Sequence, residues 1–384
     1  MTDNDDRQGG RDVDRTSNRA ALTLALTLPG DVLLYLLLPI YAAEFGVSLI
    51  EAGLLLASNR LVRIVGYGWV ARFYERHGPG PACTLACVAA AGATLSYSLV
   101  SGMALLLIGR LAWGLAFAAL NIATQALATA EPLRAARRNG VARSIIATGP
   151  MVALLIGAAL APWFGPRPVF VLLALVAVCA IPLARRLPAG PTGTVVLRQP
   201  GLRLPSRLER WVFVQGFTLD GLFTIGLTVL AVGSLGENAA LGAGAAMALR
   251  YVGEILLGPV AGSAAGRWGT LRLLIALSWA AAAALLAIGL GWLWTGAIVL
   301  TILRSLLQPL PAPVAAAQFP GNERIAALAR LATWRDIGAG LGPLAAGWLL
   351  GLWPAWLLYG IAALLVVLAS LGLDRGLPSR EARK

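Results

Sequence analysis

The chain has 384 residues, 58% of them hydrophobic and 13% charged, with a mean hydropathy of +0.76. A soluble domain carries about 25% charged residues, so a water-soluble fold is excluded and an integral membrane protein is expected. The formal net charge of +13 is unaccompanied by a basic helix, an aromatic-basic ribbon or a zinc-finger spacing, so nucleic acid is not expected as a partner.

Residues 1–18, MTDNDDRQGGRDVDRTSN, are polar and mixed in charge and read as a disordered cytoplasmic tail. A spanning helix needs about 20 apolar residues. Arginine, glycine and proline signals divide the remainder into twelve such runs, at 20–43, 49–73, 81–100, 103–128, 140–162, 167–184, 208–232, 239–263, 271–290, 294–316, 325–350 and 355–373. The stretch 186–206, rich in Pro, Gly and Arg, reads as a cytoplasmic linker between bundles at 19–185 and 207–374, and 375–384 as a second cytoplasmic tail. The expected fold class is an all-α membrane protein of twelve transmembrane helices in two pseudo-symmetric six-helix bundles.

Arginines collect in alternate connections: Arg72 and Arg76; Arg134, Arg137 and Arg138; Arg185 to Arg210; Arg267 and Arg272; Arg324 and Arg330; Arg375 to Arg383. The other connections hold Glu44, Glu51, Glu237 and Arg167. The positive-inside rule then places both termini in the cytoplasm, and the high net charge reflects topology. The only lysine is Lys384, so the Gly-Lys-[Ser/Thr] core of a phosphate-binding loop is absent and no ATPase is expected. His77 is the only histidine, and Cys83, Cys87 and Cys179 lie in apolar runs where cysteine packs as a small hydrophobe. Neither a metal nor a cofactor is expected, and without a nucleophile-base set the chain does not read as an enzyme.

Shifting the second half back by about 190 residues superimposes two sets of features, as in a parallel repeat. Asp31 meets Asp220, Arg110 in IGRLAWG meets Arg304 in LRSLLQP, and Gly149-Pro150 meets Gly342-Pro343. ARFYERHGPGP meets GSAAGRWGTLR, so that Arg76 falls on Arg267 and Gly78 on Gly269.

These segments resemble the major facilitator superfamily over residues 19–374. GYGWVARFYERHGPGP is similar to its Gly-x-Leu-Ala-Asp-Arg-x-Gly-Arg-Arg loop, with Glu75 in place of the aspartate, Gly80 where a second basic residue is usual, and Gly266 where the second copy would carry an acid. RLAWG resembles its span-four Arg-x-x-x-Gly motif, GPMVALLIG the Gly-Pro motif of its proton-antiporter branch, and WRDIGAGLGP a span-eleven sequence. The resemblance implies a gating loop formed by Gly68, Glu75, Arg76 and Gly78, repeated at Arg267 and Gly269. It further implies a monomeric, multi-pass transporter in the plasma membrane, the inner membrane of a bacterium, exporting a small organic compound in exchange for protons. The alternative is an importer of an organic anion by proton symport.

The expected site is set by charges that cannot face lipid. At 1.5 Å per residue Arg60 lies roughly 16 Å from the outer end of its span. Arg63, Arg110, Arg250, Arg304, Arg335, Asp31, Asp220, Glu254 and Asp336 fall near the same depth. A central charge costs about 2.5–3.5 kcal/mol on insertion scales, so the set must line a polar cavity or pair across the bundle. With six arginines against four acids, the surplus favours an anionic substrate, with Arg60 and Arg63 as its wall; the alternative is that all of them are structural pairs. Asp31 is the first candidate for carrying a proton, or else a permanent partner of Arg110 or Arg63, and Asp220 is the second candidate. Asn121 and Gln125 offer amides to the cavity or to a neighbouring helix. Gly149-Pro150 and Gly342-Pro343 are expected to let spans five and eleven flex.

Overall fold

The computed structural model describes residues 2–191, 204–224, 226, 227, 230 and 239–374. Its regular structure is helical, with no strand among the described residues. In chain order the helices are α1 (Thr2–Thr27), α2 (Pro29–Ile40), α3 (Leu49–His77), α4 (Pro79–Leu99), α5 (Met103–Ala128), α6 (Ala135–Phe164), α7 (Pro166–Val178), α8 (Ala180–Arg185) and α9 (Arg207–Gln215). A π-helical turn, Gly216–Leu222, continues α9. The chain then forms α10 (Ala239–Trp268), α11 (Thr270–Gly289), α12 (Leu293–Leu307), α13 (Pro311–Gln318), α14 (Glu323–Leu349) and α15 (Ala355–Asp374).

Among the described residues, eight stretches are long and apolar enough to cross a membrane: Gly10–Ile40, Pro79–Leu99, Met103–Ala128, Ala135–Phe164, Pro166–Arg185, Thr270–Gly289, Leu293–Gln318 and Ala355–Leu373. Helices α3, α10 and α14 are as long, at 29, 30 and 27 residues. Each carries charged residues in its middle: Arg60 with Arg63, Arg250 with Glu254, and Arg335 with Asp336. Their lower hydropathy and their functional interest therefore have the same cause.

Helix ends follow local chemistry. Ser48 Oγ accepts the Glu51 amide at 3.3 Å while the Glu51 carboxylate accepts the Ser48 amide at 2.8 Å, and Ser206 with Glu209 repeats both bonds ahead of α9. This reciprocal cap satisfies two otherwise orphaned donors, so Glu51 has a structural use at a helix start. The turns from α3 to α4 and from α10 to α11 each pivot on one glycine with positive φ, +83° at Gly78 and +85° at Gly269. Side chains with a Cβ rarely adopt that conformation, which accounts for both glycines independently of any gating role.

Two expectations, the disordered tail and the packing of Cys179 as a buried hydrophobe, are corrected, and the start of the linker is described. The N-terminal segment is helical from Thr2, continuous with the first span, in place of a disordered tail. Extending a helix that already exists needs no new nucleus, and Thr16 Oγ1 bonds to the Asp12 carbonyl at 2.8 Å while Asp14 reaches Arg138 at 3.6 Å. The linker begins as ordered chain: the Gly80 amide donates to the Pro188 carbonyl at 2.8 Å and the Gly190 amide to the His77 carbonyl at 3.1 Å. Cys179 is exposed between α7 and α8, although Cys83 and Cys87 are buried. Residues 192–203 and the tail 375–384 lie outside the described residues.

Among the described residues two helix pairs make most of the seam between the halves, α3 against α14 and α6 against α10, with α14 also touching α5 and α13 touching α6. Between α6 and α10, glycines let backbones meet. A Cβ on Gly140 would overlap the Gly258 carbonyl, and one on Gly262 would fall 2.6 Å from the Ala136 carbonyl oxygen. Asn139 donates to the Pro309 carbonyl at 2.7 Å, Ser144 to the Ile255 carbonyl at 2.6 Å, and Arg324 to the carbonyls of Thr129 and Ala130 at 3.0 and 2.9 Å. These bonds lie between the middle of the spans and the arginine-rich end, where the two halves are closed on one another.

Candidate functional site

Both repeated aspartates sit where a helix is irregular. Pro29 begins α2 at a bend that keeps the Val32 amide on the Leu28 carbonyl at 3.2 Å, and this places Asp31 in the first turn. Asp220 lies in the π-helical turn Gly216–Leu222. Such turns leave backbone groups and side chains aimed away from the regular ladder, and they recur at functional sites.

The two carboxylates are held differently. Asp31, 6% exposed, takes an ion pair from Arg110 and a 3.0 Å bond from the Asn59 amide, both on Oδ1. Its Oδ2 has no hydrogen-bond partner among the described residues. Arg110 is fully buried and also donates to the carbonyls of Leu55 and Leu56, at 3.1 and 3.4 Å, above the ring of Tyr35. Three further buried polar atoms around this group have no partner: Asn59 Oδ1, Thr94 Oγ1 and Tyr97 OH. Buried polar atoms in such a cluster are places where water is held.

Asp220 is gripped on both oxygens. Arg304 Nε donates to Oδ1 at 2.6 Å and Arg335 Nε to Oδ2 at 3.0 Å, and each guanidinium makes a second contact to the same oxygen. Arg250 pairs with Glu254 one turn on at 3.1 Å and covers the Tyr251 ring. The C-terminal half thus gathers three arginines around two acids.

The span-two arginines reach across the seam. Arg63 pairs with Asp336 at 2.9 Å, over the Phe117 ring, and Tyr67 donates to the same carboxylate at 3.1 Å. The acid that holds Arg63 is therefore Asp336, and Asp31 belongs to Arg110. Arg60 donates to the Ala339 carbonyl and has no acidic partner among the described residues.

Other predicted residues fall outside this network. Asn121 and Gln125 are buried and bond to each other at 3.0 Å along α5. Gly68 lies inside α3, Glu75 and Arg76 in its last turn, and Arg267 in the last turn of α10. Glu75, Arg76 and Arg267 make no ion pair among the described residues; burial pushes the Glu75 carboxyl up, against the opposing pull of Arg72. Gly149 abuts the Ala25 carbonyl and Pro29, and Gly342 abuts Phe217 and Gly221. Each therefore presses the helix of its Gly-Pro motif onto the irregular segment that bears the aspartate. Pro150 and Pro343 lie within helices that remain continuous.

One charged residue escaped the sequence reading. Arg143, half-buried on α6 next to Ser144, which bonds across the seam to the Ile255 carbonyl, has no hydrogen bond or ion pair of its own among the described residues. It follows Arg134, Arg137 and Arg138 so closely that it passes for part of a basic loop. Its position inside the predicted span 140–162 was the available signal.

An all-helical membrane bundle of two repeated halves, with charges buried along their seam, has the architecture of a transporter. Residues 20–236 match the family model of the Major Facilitator Superfamily, and the chain belongs to this superfamily of membrane transporters. Its fold is similar to that of the human organic anion transporter MFSD10 (TETRAN), at 17% identity and a TM-score of 0.73, over 93% of this chain and 99% of that one. It is also similar to the E. coli fucose:proton symporter FucP, at 14% identity and a TM-score of 0.74, over 95% and 99% of the two chains. A bacterial homologue of the iron transporter ferroportin in an outward-facing state matches at 14% identity and a TM-score of 0.72, over 94% and 98%. No curated protein sequence matches the chain.

Proposed function

We propose that the chain is a monomeric, twelve-helix, proton-coupled transporter that exports a small organic anion in exchange for protons. In this reading it sits in the plasma membrane of a bacterium with both termini and the arginine-rich end in the cytoplasm. The observation that carries proton coupling is the one-sided grip on Asp31. A proton on Oδ2 leaves both bonds to Oδ1 in place, whereas on Asp220 each oxygen already accepts from a guanidinium and a proton on either would displace such a bond. An anionic substrate is supported by the arginine surplus, in keeping with the organic anion transporter of the same fold. Export is supported by RLAWG and GPMVALLIG in the N-terminal half. The bonds of Asn139, Ser144 and Arg324 across the seam on the arginine-rich side support an outward-open state in this orientation.

Charge favours one second reading. Protonating Asp31 adds a positive charge to the cavity and so strengthens anion binding, and sites coupled in that sense move both species in the same direction. This is symport, as in the fucose:proton symporter of the same fold. Proteoliposomes with an imposed pH gradient separate the two. Under the proposal, a labelled organic anion accumulates in the compartment from which protons leave, and accumulation where protons arrive replaces it with symport. Transport indifferent to the gradient removes proton coupling altogether.

A further inference from the structure

At the arginine-rich end a cavity of about 160 Å³ lies between α1 and α6, lined by Asp14 and Asn18 on the first and by Arg134, Arg137, Arg138 and Val141 at the start of the second. A single water needs about 10–15 Å³, so a group of phosphate size has room. Arg138 is already engaged: buried, it donates to the carbonyls of Ala128 and Leu133 at 3.1 and 2.9 Å and pairs with Glu131 at 3.3 Å and Asp14 at 3.6 Å. Asp14, the one acid in the wall, is thereby matched. Arg134 and Arg137 are exposed and make no hydrogen bond or ion pair among the described residues, so two guanidiniums share the cavity with nothing to neutralise them. Local structure does not account for them. Arg134 has φ +66°, the one non-glycine residue with positive φ among the described residues, where glycine would turn more easily. A cation in the first turn of a helix also opposes the helix dipole.

The depth of the cavity identifies what it meets. The predicted spans begin at residues 20 and 140. Arg137 lies three residues before the second of these, about 4.5 Å along the helix, and the headgroup layer reaches about 5–7 Å beyond the hydrocarbon on each side. The cavity is therefore level with lipid phosphates. Its inner edge runs on into apolar surface: Leu22, one turn beyond Asn18 on α1, is exposed, and Ile145, one turn beyond Val141 on α6, is half-buried. An exposed leucine within a span faces acyl chains. The positive-inside rule explains why arginines gather at this end, but not why two of them line one cavity above an apolar track. The flat donor fork of a guanidinium matches two phosphate oxygens at once, and basic pockets between membrane helices hold lipid headgroups. We infer that this cavity binds the phosphate of an anionic phospholipid, with Arg134 and Arg137 on its oxygens, the Asn18 amide as a further donor, and Leu22 beside its acyl chains. The site stands apart from the paired charges at mid-span and does not depend on what the protein transports.

The test uses the purified full-length chain in detergent, with bound lipid counted by native mass spectrometry and thermal unfolding as a second readout. The probes are phosphatidylglycerol, phosphatidylcholine, whose choline would bring a cation up to the two arginines, and inorganic phosphate. The expected result is at least tenfold tighter binding of phosphatidylglycerol than of phosphatidylcholine. The double variant Arg134→Gln, Arg137→Gln should fold as the parent does, because both side chains are exposed, and should bind phosphatidylglycerol at least tenfold more weakly. The double variant Arg185→Gln, Arg186→Gln removes the same charge from exposed positions outside the cavity and should stay within twofold of the parent. Equal binding of the two lipids overturns the inference, as does phosphatidylglycerol affinity within twofold of the parent in the Arg134, Arg137 variant. Equal losses in both double variants would mean that surface charge attracts the lipid and that the cavity is no site. Inorganic phosphate that stabilises the parent as strongly as phosphatidylglycerol at the same concentration would make the occupant a free phosphate and overturn the assignment to lipid.

Discussion

Asp31 and Asp220 occupy equivalent places in the repeat, yet their surroundings predict opposite consequences for the same substitution. Asp31→Asn leaves Arg110 with the carbonyls of Leu55 and Leu56, and the new amide can still accept from Arg110. The variant should fold, bind substrate and lose pH-driven accumulation. Asp220→Asn leaves Arg304 and Arg335, neither of which has another acceptor among the described residues. Breaking a buried pair in this way costs about 3–5 kcal/mol, so this variant should show a large fall in thermal stability before any effect on coupling. Thermal unfolding and proteoliposome transport of the two variants check both halves of the claim, and an Asp31→Asn protein with intact pH-driven accumulation would remove Asp31 from coupling. The residue types and depths of the site were legible in the sequence, because charge in an apolar run is conspicuous. The partners were not, since Arg63 and Asp336 meet across 273 positions and only the packing of α3 on α14 brings them together.

The Gly-Pro motifs show how an element can be located from sequence while the packing contact it makes is not legible there. Proline inside a span suggests flexing, but α6 and α14 pass through Pro150 and Pro343 without a break, and it is the glycine beside each proline that makes the close contact. Helix α14 supplies its own control. A Cβ at Gly342 would lie 2.7 Å from Gly221 Cα, whereas one at Gly340 meets nothing within 4 Å. Gly342→Ala should therefore destabilise the protein by about 1–3 kcal/mol through overpacking. Gly340→Ala should be neutral or stabilising by up to about 1 kcal/mol, the helix-propensity gain. Thermal unfolding in detergent compares them, and equal effects would mean that Gly342 is not a packing residue. Most helix positions were readable from hydropathy and from glycine and proline. The N-terminal extension was not, because the helical state of residues 2–18 depends on the span that follows and on the ion pair from Asp14 to Arg138.

At the scale of the whole molecule, alternating access requires that the closed end be held by contacts weak enough to break. Here the packing of α6 on α10 is joined by specific polar contacts. Arg324, in the first turn of α14, caps the carbonyl end of α5 in the other half through Thr129 and Ala130, where a cation also meets the negative end of the helix dipole. Asn139, in the first turns of α6, reaches the Pro309 carbonyl in the opposite direction. Neither contact was legible beforehand, because both acceptors are backbone carbonyls freed where a helix ends or breaks. A hydrogen bond to a charged group contributes about 1.5–3 kcal/mol, so Arg324→Ala should raise the fraction of molecules open at the arginine-rich end by roughly ten- to a hundredfold. Asn139→Ala, which loses a neutral bond, should shift it by less, and the double variant by more than either. Spin labels on Leu133 and Gln318, both exposed at that end of the two halves, can report the separation by pulsed electron resonance. The expected result is a longer-distance population that grows in the order parent, Asn139→Ala, Arg324→Ala, double variant. Arg324→Lys should recover part of the short-distance population, since an ammonium can still meet the carbonyl end of α5. A distance distribution unchanged in the double variant would mean that the glycine contacts between α6 and α10 hold the end closed by packing, and that these two polar contacts are dispensable.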